Sequence, residues 1–158
     1  MRANSVGKEC TVANLAYTAG FIDADGAIMA IIEPHREKKF SFRVRIVLKV
    51  TQKHKRDLVF LIALFGCGTV RANRTTYDWI TRDQKEIARI LSLLCPYSKT
   101  KQKQITIAQK IIATSIGSKH DLMRVAKLAD ALSRFNVRSN NRRKNYVAMI
   151  QEHFSSND

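Results

Sequence analysis

Acidic residues are in short supply in this chain. Thirteen Asp and Glu stand against 28 Lys and Arg, for a formal net charge of +15. Such an excess opposes compaction and calls for a polyanionic partner. Nucleic acid is the first candidate and an anionic membrane surface the second. Long apolar runs are also lacking. The stretch Leu58–Leu64 is too short to span a bilayer, and Met1–Cys10 has no apolar core of the kind a secretory signal needs. A membrane partner is therefore not expected, nor is secretion. Cysteine is sparse: Cys10, Cys67 and Cys95 are odd in number and match no zinc spacing, which points to free thiols in a reducing compartment. The four histidines (His35, His54, His120 and His153) form no HExxH-type pair. There is no repeat of fixed period and no low-complexity tract.

What is present is globular. With 158 residues, 45% hydrophobic and 26% charged, the chain has material for one domain spanning 1–158. Residues 1–10 read as a polar lead-in. Thr11 is a candidate N-cap for a helix to about Ala24, with Gly26 as its stop. Ala27–Glu33 is rich in Ile and reads as a strand, and Pro34–Lys39 as a charged turn. Phe40–Thr51 alternates with period two, placing Phe42, Val44, Ile46, Leu48 and Val50 on one face. Ser41, Arg43, Arg45, Val47, Lys49 and Thr51 take the other. A helix is expected over about Lys55–Phe65, then a second hairpin, Thr69–Asn73 and Thr76–Arg82, then a helix Gln84–Leu94 that ends before Pro96. Further helices are expected at about Gln102–Thr114, Lys119–Phe135 and Asn141–Phe154. The fold class is α+β. An αββαββα core over 11–95 carries a four-stranded antiparallel sheet backed by helices, and C-terminal helices fill 96–158.

One sheet face then carries Arg43, Arg45, Lys49, Arg71, Asn73, Asp78, Ile80 and Arg82. On the first strand, Met29, Ile31 and Glu33 share that face. Charged solvent faces are common, but cations concentrated on two hairpins suit the DNA major groove. Arginine can address guanine, asparagine adenine, Glu33 a cytosine amino group, and Met29 and Ile31 thymine methyls. Arg138, Arg142, Arg143 and Lys144 are either phosphate contacts or a solvated face. Tyr17 and Phe21, four apart, read as core.

The segment Ala19–Gly26, AGFIDADG, resembles the signature of the LAGLIDADG homing endonucleases. Two further segments extend the resemblance in the right order: Val50-Thr51-Gln52-Lys53, and Lys99-Thr100-Lys101-Gln102-Lys103-Gln104. The signature occurs once, which in that family implies a homodimer rather than a two-repeat monomer.

Elementary physics agrees with this. Ala16, Gly20 and Ala24 fall on one helix face, where small side chains let a second backbone approach. They are the candidate dimer interface. Asp25 ends the helix, where exposed carbonyls already carry partial negative charge and a carboxylate calls for a cation. If two copies pack on this face, their Asp25 side chains repel unless protonated or bound to metal. Asp25 and the Ala24 carbonyl are thus candidate ligands for Mg2+. Asp23 lies about 200° round the helix from Asp25 and reads as a structural or capping carboxylate. The resemblance adds Gln52, Lys101 and Arg56 to Asp25 as catalytic residues, with Gln52 orienting water and the two cations stabilising charge.

The expected function is a site-specific homing endonuclease making a staggered double-strand cut in a long, near-palindromic DNA site. The rivals are an RNA-binding maturase, with intron RNA as partner, and a non-cleaving DNA-binding regulator. The expected location is a chloroplast or mitochondrion if the intron lies there, otherwise a bacterial or archaeal cytoplasm.

Overall fold

The strands and helices expected from periodicity form in the expected order, although the start expected for the last helix, 141–144, lies outside the described residues. The computed structural model describes residues 10–136 and 145–156. The elements are α1 (Val12–Asp25), β1 (Gly26–Pro34), β2 (Phe42–Gln52), α2 (Arg56–Phe65), β3 (Thr69–Asn73), β4 (Thr76–Thr81), α3 (Gln84–Leu94), α4 (Gln102–Ala113), α5 (Lys119–Ser133) and α6 (Tyr146–Ser155). One four-stranded sheet has the order β1-β2-β4-β3, with β4 antiparallel to both β2 and β3. The arginine cluster Arg138, Arg142, Arg143 and Lys144 lies outside the described residues. Among those residues no helix is long and apolar enough to cross a membrane.

The chain divides into two compact units. The first comprises the described part of Met1–Ala27 together with Leu48–Gln102. Here α1 begins as its sequence dictates: the Thr11 hydroxyl accepts from the Asn14 amide. It ends at Gly26, but not through a left-handed turn, since Gly26 is extended at φ −85°. The glycine is needed for a different reason. A Cβ there would lie 2.5 Å from the Ile22 carbonyl oxygen, which accepts the capping N–H of Gly26.

The register fixes the two faces of this part of the sheet. Leu48 pairs with Thr81, Val50 with Trp79, Gln52 with Tyr77, and on the other strand Val70 with Trp79. Paired residues share a face, so this is the face that packs inward. Leu48, Val50 and Trp79 are wholly buried. The Trp79 indole donates to the Cys67 carbonyl at 3.2 Å, and a Cβ on Gly68, whose φ is +84°, would collide with that indole. The opposite face gathers Lys49, Thr51, Arg71, Asn73, Asp78 and Ile80, the partition that alternation along the strands predicts.

The second unit comprises Ile28–Val47 and the described part of Lys103–Asp158. Its core includes Ile28, Ile32, Ile46, Ile105, Leu122, Val125 and Ile150. Ser118 and Asp121 form a reciprocal capping box at the start of α5. Asp130 accepts from the amides of Tyr146 and Val147 at the start of α6. Two carbonyls of the edge strand β1 are engaged, because Asn136 donates to Ile28 at 3.1 Å and the Tyr146 hydroxyl donates to Ala30 at 3.1 Å, which blunts that edge against pairing with another chain. Val47 departs from expectation. It alternates with the basic side chains of β2 but is only 2% exposed, so that face has an apolar centre.

Candidate metal centre and DNA-facing sheet

The acidic end of α1 is built within the first unit from segments far apart in sequence. Asp25 is exposed, and its Oδ2 accepts from Gln52 Nε2 at 2.7 Å. Gln52 can make this contact because it closes β2 on the face of Leu48 and Val50, not on the basic face. Asp23 points elsewhere, as helix geometry requires. Its Oδ1 accepts from the Ser98 hydroxyl at 2.5 Å, and its Oδ2 from the amides of Lys99 and Thr100 at 2.6 and 3.0 Å. Partial burial alone would raise the Asp23 pKa, but these donors outweigh it and leave the group below its ordinary value.

Lys101 completes the group. Its Nζ donates to the backbone carbonyl of Asp23 at 2.6 Å, supplying the cation that a helix C-terminus favours. Burial pulls the Lys101 pKa down, the charges of Asp23 and Asp25 pull it up, and the net displacement is downward. Gln102, next along, anchors the same segment by donating to the Ser98 carbonyl at 2.8 Å and to the Cys95 carbonyl. The structure therefore brings Asp25, Gln52 and Lys101 to one helix end. Among the described residues Arg56 makes no hydrogen bond or ion pair with these three: at the first position of α2 its side chain is 83% exposed, and the ion partner it has is Asp57 at 3.6 Å.

The donors at this end suit a hard divalent cation: a carboxylate whose Oδ1 has no hydrogen-bond partner among the described residues, and a helix-terminal backbone. Among the described residues no three His, Cys, Asp or Glu side chains converge as a metal site. One copy thus offers part of a coordination shell, to be completed by water, phosphate oxygens or a second copy.

The helix face expected to receive that copy is open. Ala16, Gly20 and Ala24 are all exposed, and a Cβ added at Gly20 would meet nothing within 4 Å. No charged residue occurs from Val12 to Ile22. Tyr17 corrects the reading as core, being 65% exposed. Its ring lies 5.7 Å from Phe60 and 6.1 Å from Phe21, so α2 extends the apolar surface of α1. Val12 and Val59 are exposed as well. Sequence reasoning missed Phe60 because its partners lie about forty positions away, beyond any local period.

Each basic hairpin is organised by one carboxylate. In the first unit Asp78 is only 5% exposed. It accepts from Thr51 Oγ1 at 2.6 Å, Asn73 Nδ2 at 2.8 Å and Lys49 Nζ at 3.4 Å. It supports the polar side chains around it and is poorly exposed for base contact itself. In the second unit Glu33 Oε1 takes both Nε and Nη2 of Arg43, the former at 2.8 Å, and Arg45 Nη2 lies 3.2 Å from the same oxygen. Arg43 lowers the Glu33 pKa, against a smaller opposing effect of desolvation, and Arg45 lowers it further. Glu33 is engaged mainly through Oε1 by arginine, a partner that its reading as an acceptor for cytosine did not include. Arg71, Asn73 and Arg82 are exposed; Met29, Ile31 and Ile80 are half-buried.

Comparison with known proteins follows the same lines. The family model described as LAGLIDADG endonuclease matches residues 18–114. DNA endonuclease I-CreI of Chlamydomonas reinhardtii is 39% identical over 100 residues, which is 62% of this chain and 61% of that protein, so the match spans less than two thirds of I-CreI. DNA endonuclease I-CvuI of Chlorella vulgaris is 33% identical over 120 residues, 73% of this chain and 74% of that protein. The crystal structure of I-CvuI with the I-CreI target, in 2 mM Mg and with its DNA not cleaved, matches with a TM-score of 0.82 and 27% identity. That match covers 91% of this chain and 94% of the other. I-CvuI has also been solved with its own target in the presence of Ca.

Proposed function

The chain belongs to the LAGLIDADG endonuclease family, and from that premise we propose that it is a magnesium-dependent, site-specific DNA endonuclease. It acts as a homodimer and cuts both strands of a long, near-palindromic site with a stagger. The observation that carries this reading is the convergence of Asp25, Gln52 and Lys101 on the end of α1, with Gln52 holding Asp25 at 2.7 Å and Lys101 on the neighbouring carbonyl at 2.6 Å.

The division of labour follows from the contacts. Asp25 keeps Oδ1 free as a metal ligand while Gln52 steadies Oδ2, and the Ala24 carbonyl is the adjoining backbone donor. The magnesium ion, when bound, supplies a Lewis acid and a water of lowered pKa. Gln52 has its amide oxygen left to orient that water. Lys101, held in a partly dry place, presents positive charge where a phosphodiester oxygen becomes more negative. Arg56 is assigned a looser role, electrostatic attraction at the rim, since its side chain is solvent-facing.

Dimerisation rests on α1. Two uncharged Ala16/Gly20/Ala24 faces in contact would set two acidic helix ends side by side, one for each strand. Tyr17 and Phe60 would flank that seam. The sheet face supplies the grip: Arg43, Arg45, Lys49, Arg71, Asn73 and Arg82 as polar contacts, and Met29, Ile31 and Ile80 as apolar ones. Three thiols, free in the structure, suit a reducing, DNA-containing compartment: an organelle, or a bacterial or archaeal cytoplasm.

The maturase and regulator readings keep the fold and the charge but have no use for the Asp25–Gln52 pair. A plasmid carrying the intron-insertion sequence, incubated with and without magnesium, separates the three. Linearisation that depends on magnesium is expected. Binding without cutting under every ionic condition favours the regulator, and preference for the intron RNA over the plasmid favours the maturase.

A further inference from the structure

Glu33 stands on the groove-facing side of β1, where a carboxylate repels phosphate, yet it is the one acid beside two arginines. The way it engages them gives it a purpose. An arginine offers two donor edges, one formed by Nε with one terminal nitrogen, the other by the two terminal nitrogens. Arg43 gives Nε and Nη2 to Glu33 Oε1. That occupies the side edge and leaves the end edge, Nη1 with the second N–H of Nη2, uncommitted. The end edge is the one that matches guanine O6 and N7 in the major groove. The Arg43 side chain remains 40% exposed. Arg45 is held less completely. Its Nη2 lies 3.4 Å from Glu33 Oε2, its buried Nε has no acceptor among the described residues, and its side chain is 26% exposed.

We propose that Glu33 is a specificity-determining positioning residue that fixes the Arg43 guanidinium plane so that Arg43 reads one guanine in each half-site. Without the carboxylate, Arg43 still attracts DNA but as a mobile cation. A long side chain free to rotate meets any phosphate or base edge, whereas one restrained at its side edge has its remaining donors pre-oriented. Glu33 thus contributes selectivity at one base pair. It also removes one positive charge from the hairpin, at some cost in affinity that does not depend on sequence.

This inference rests on the proposed DNA-binding function, and the test separates the two. Purified full-length protein is used to select from a pool of duplexes with a randomised stretch, in the presence of calcium ions. Wild type is compared with Glu33→Gln, Glu33→Ala and Arg43→Lys. The wild type should enrich a two-fold symmetric motif in which one guanine per half-site is preferred on the order of 10- to 100-fold. Arg43→Lys identifies that position by losing the preference there. Glu33→Ala should reduce the preference at the same position to below about 5-fold, with the rest of the motif intact, while Glu33→Gln, whose amide oxygen can still accept from Arg43, should retain an intermediate preference. A merely structural role would blur all positions together. A Glu33→Ala variant that keeps the wild-type guanine preference, or that loses preference uniformly, overturns the proposal while the endonuclease reading stands. So does an Arg43→Lys variant that enriches every guanine as the wild type does. A wild type that enriches no sequence overturns both.

Discussion

Replacing Asp23 tests how the end of α1 is fastened, and the two obvious substitutions should differ. Asp23 accepts three hydrogen bonds, from the Ser98 hydroxyl and the Lys99 and Thr100 amides. A hydrogen bond to a charged group contributes about 1.5–3 kcal/mol, less where water can replace it. Asp23 is half-buried, so water recovers part of the loss. Asp23→Ala should therefore cost about 2–3 kcal/mol. Asp23→Asn can keep its oxygen on the two amides and let Ser98 turn to accept from the new NH2. Only charge assistance is lost, about 1 kcal/mol. For a chain of this size the corresponding falls in Tm are about 4–12 °C and 2–4 °C. Thermal unfolding followed by circular dichroism measures both. Equal effects, or no effect beyond about 1 °C, would refute the argument that the carboxylate binds this turn. The acid side adds a check. Because the Asp23 pKa is lowered in the folded state, its stabilisation is complete above the unfolded-state pKa and disappears as pH falls through the folded one. The wild type should thus lose its advantage over Asp23→Asn at acidic pH, in a window of about pH 4 and below.

Three other outcomes follow from particular contacts. Gln52→Ala removes the donor that holds Asp25 Oδ2; single-turnover cleavage should slow by about 10- to 100-fold while target binding, measured by fluorescence anisotropy, changes little. Gly20→Arg should abolish self-association in sedimentation velocity but leave the monomer folded, since the added side chain meets only open space in one copy; a dimer that survives this change would place the interface elsewhere. Gly68→Ala combines a strained φ of +84° with a collision against Trp79 and should destabilise by about 2–4 kcal/mol in urea unfolding.

The fold was legible because its signals are local and strong. Alternation along Phe42–Gln52 and the breaks at Gly66 and Pro96 place elements without reference to distant residues, and the register of β2 with β4 then joined Lys49, Arg71 and Asp78 on one face as alternation implied. The site was legible in part. Asp25 and Gln52 were singled out by segments resembling a family, and the separation of Asp23 from Asp25 followed from helix geometry alone. What eluded sequence reasoning depends on tertiary proximity. Ser98 and Asp23 are 75 positions apart and nothing in either neighbourhood announces the other. Tyr17 looked like core because an apolar residue flanked by apolar residues does, and a helix with no charged face gives no sign of which side is covered. Glu33 looked like a base contact because alternation tells the face of a side chain and says nothing of its partner. Arg56 was carried by resemblance only, and its exposed position leaves it the least supported of the four catalytic assignments.

The central claim is that Asp25 holds the ion that makes this protein cut. The decisive measurement is single-turnover cleavage of its selected target, wild type against Asp25→Asn, over a magnesium titration and with binding affinity followed in parallel. Binding should be equal or tighter in the variant, because a carboxylate near phosphate has been neutralised, while cleavage falls by on the order of 10³-fold at every magnesium concentration. Cleavage by Asp25→Asn at the wild-type rate, with the same magnesium dependence, would contradict the account.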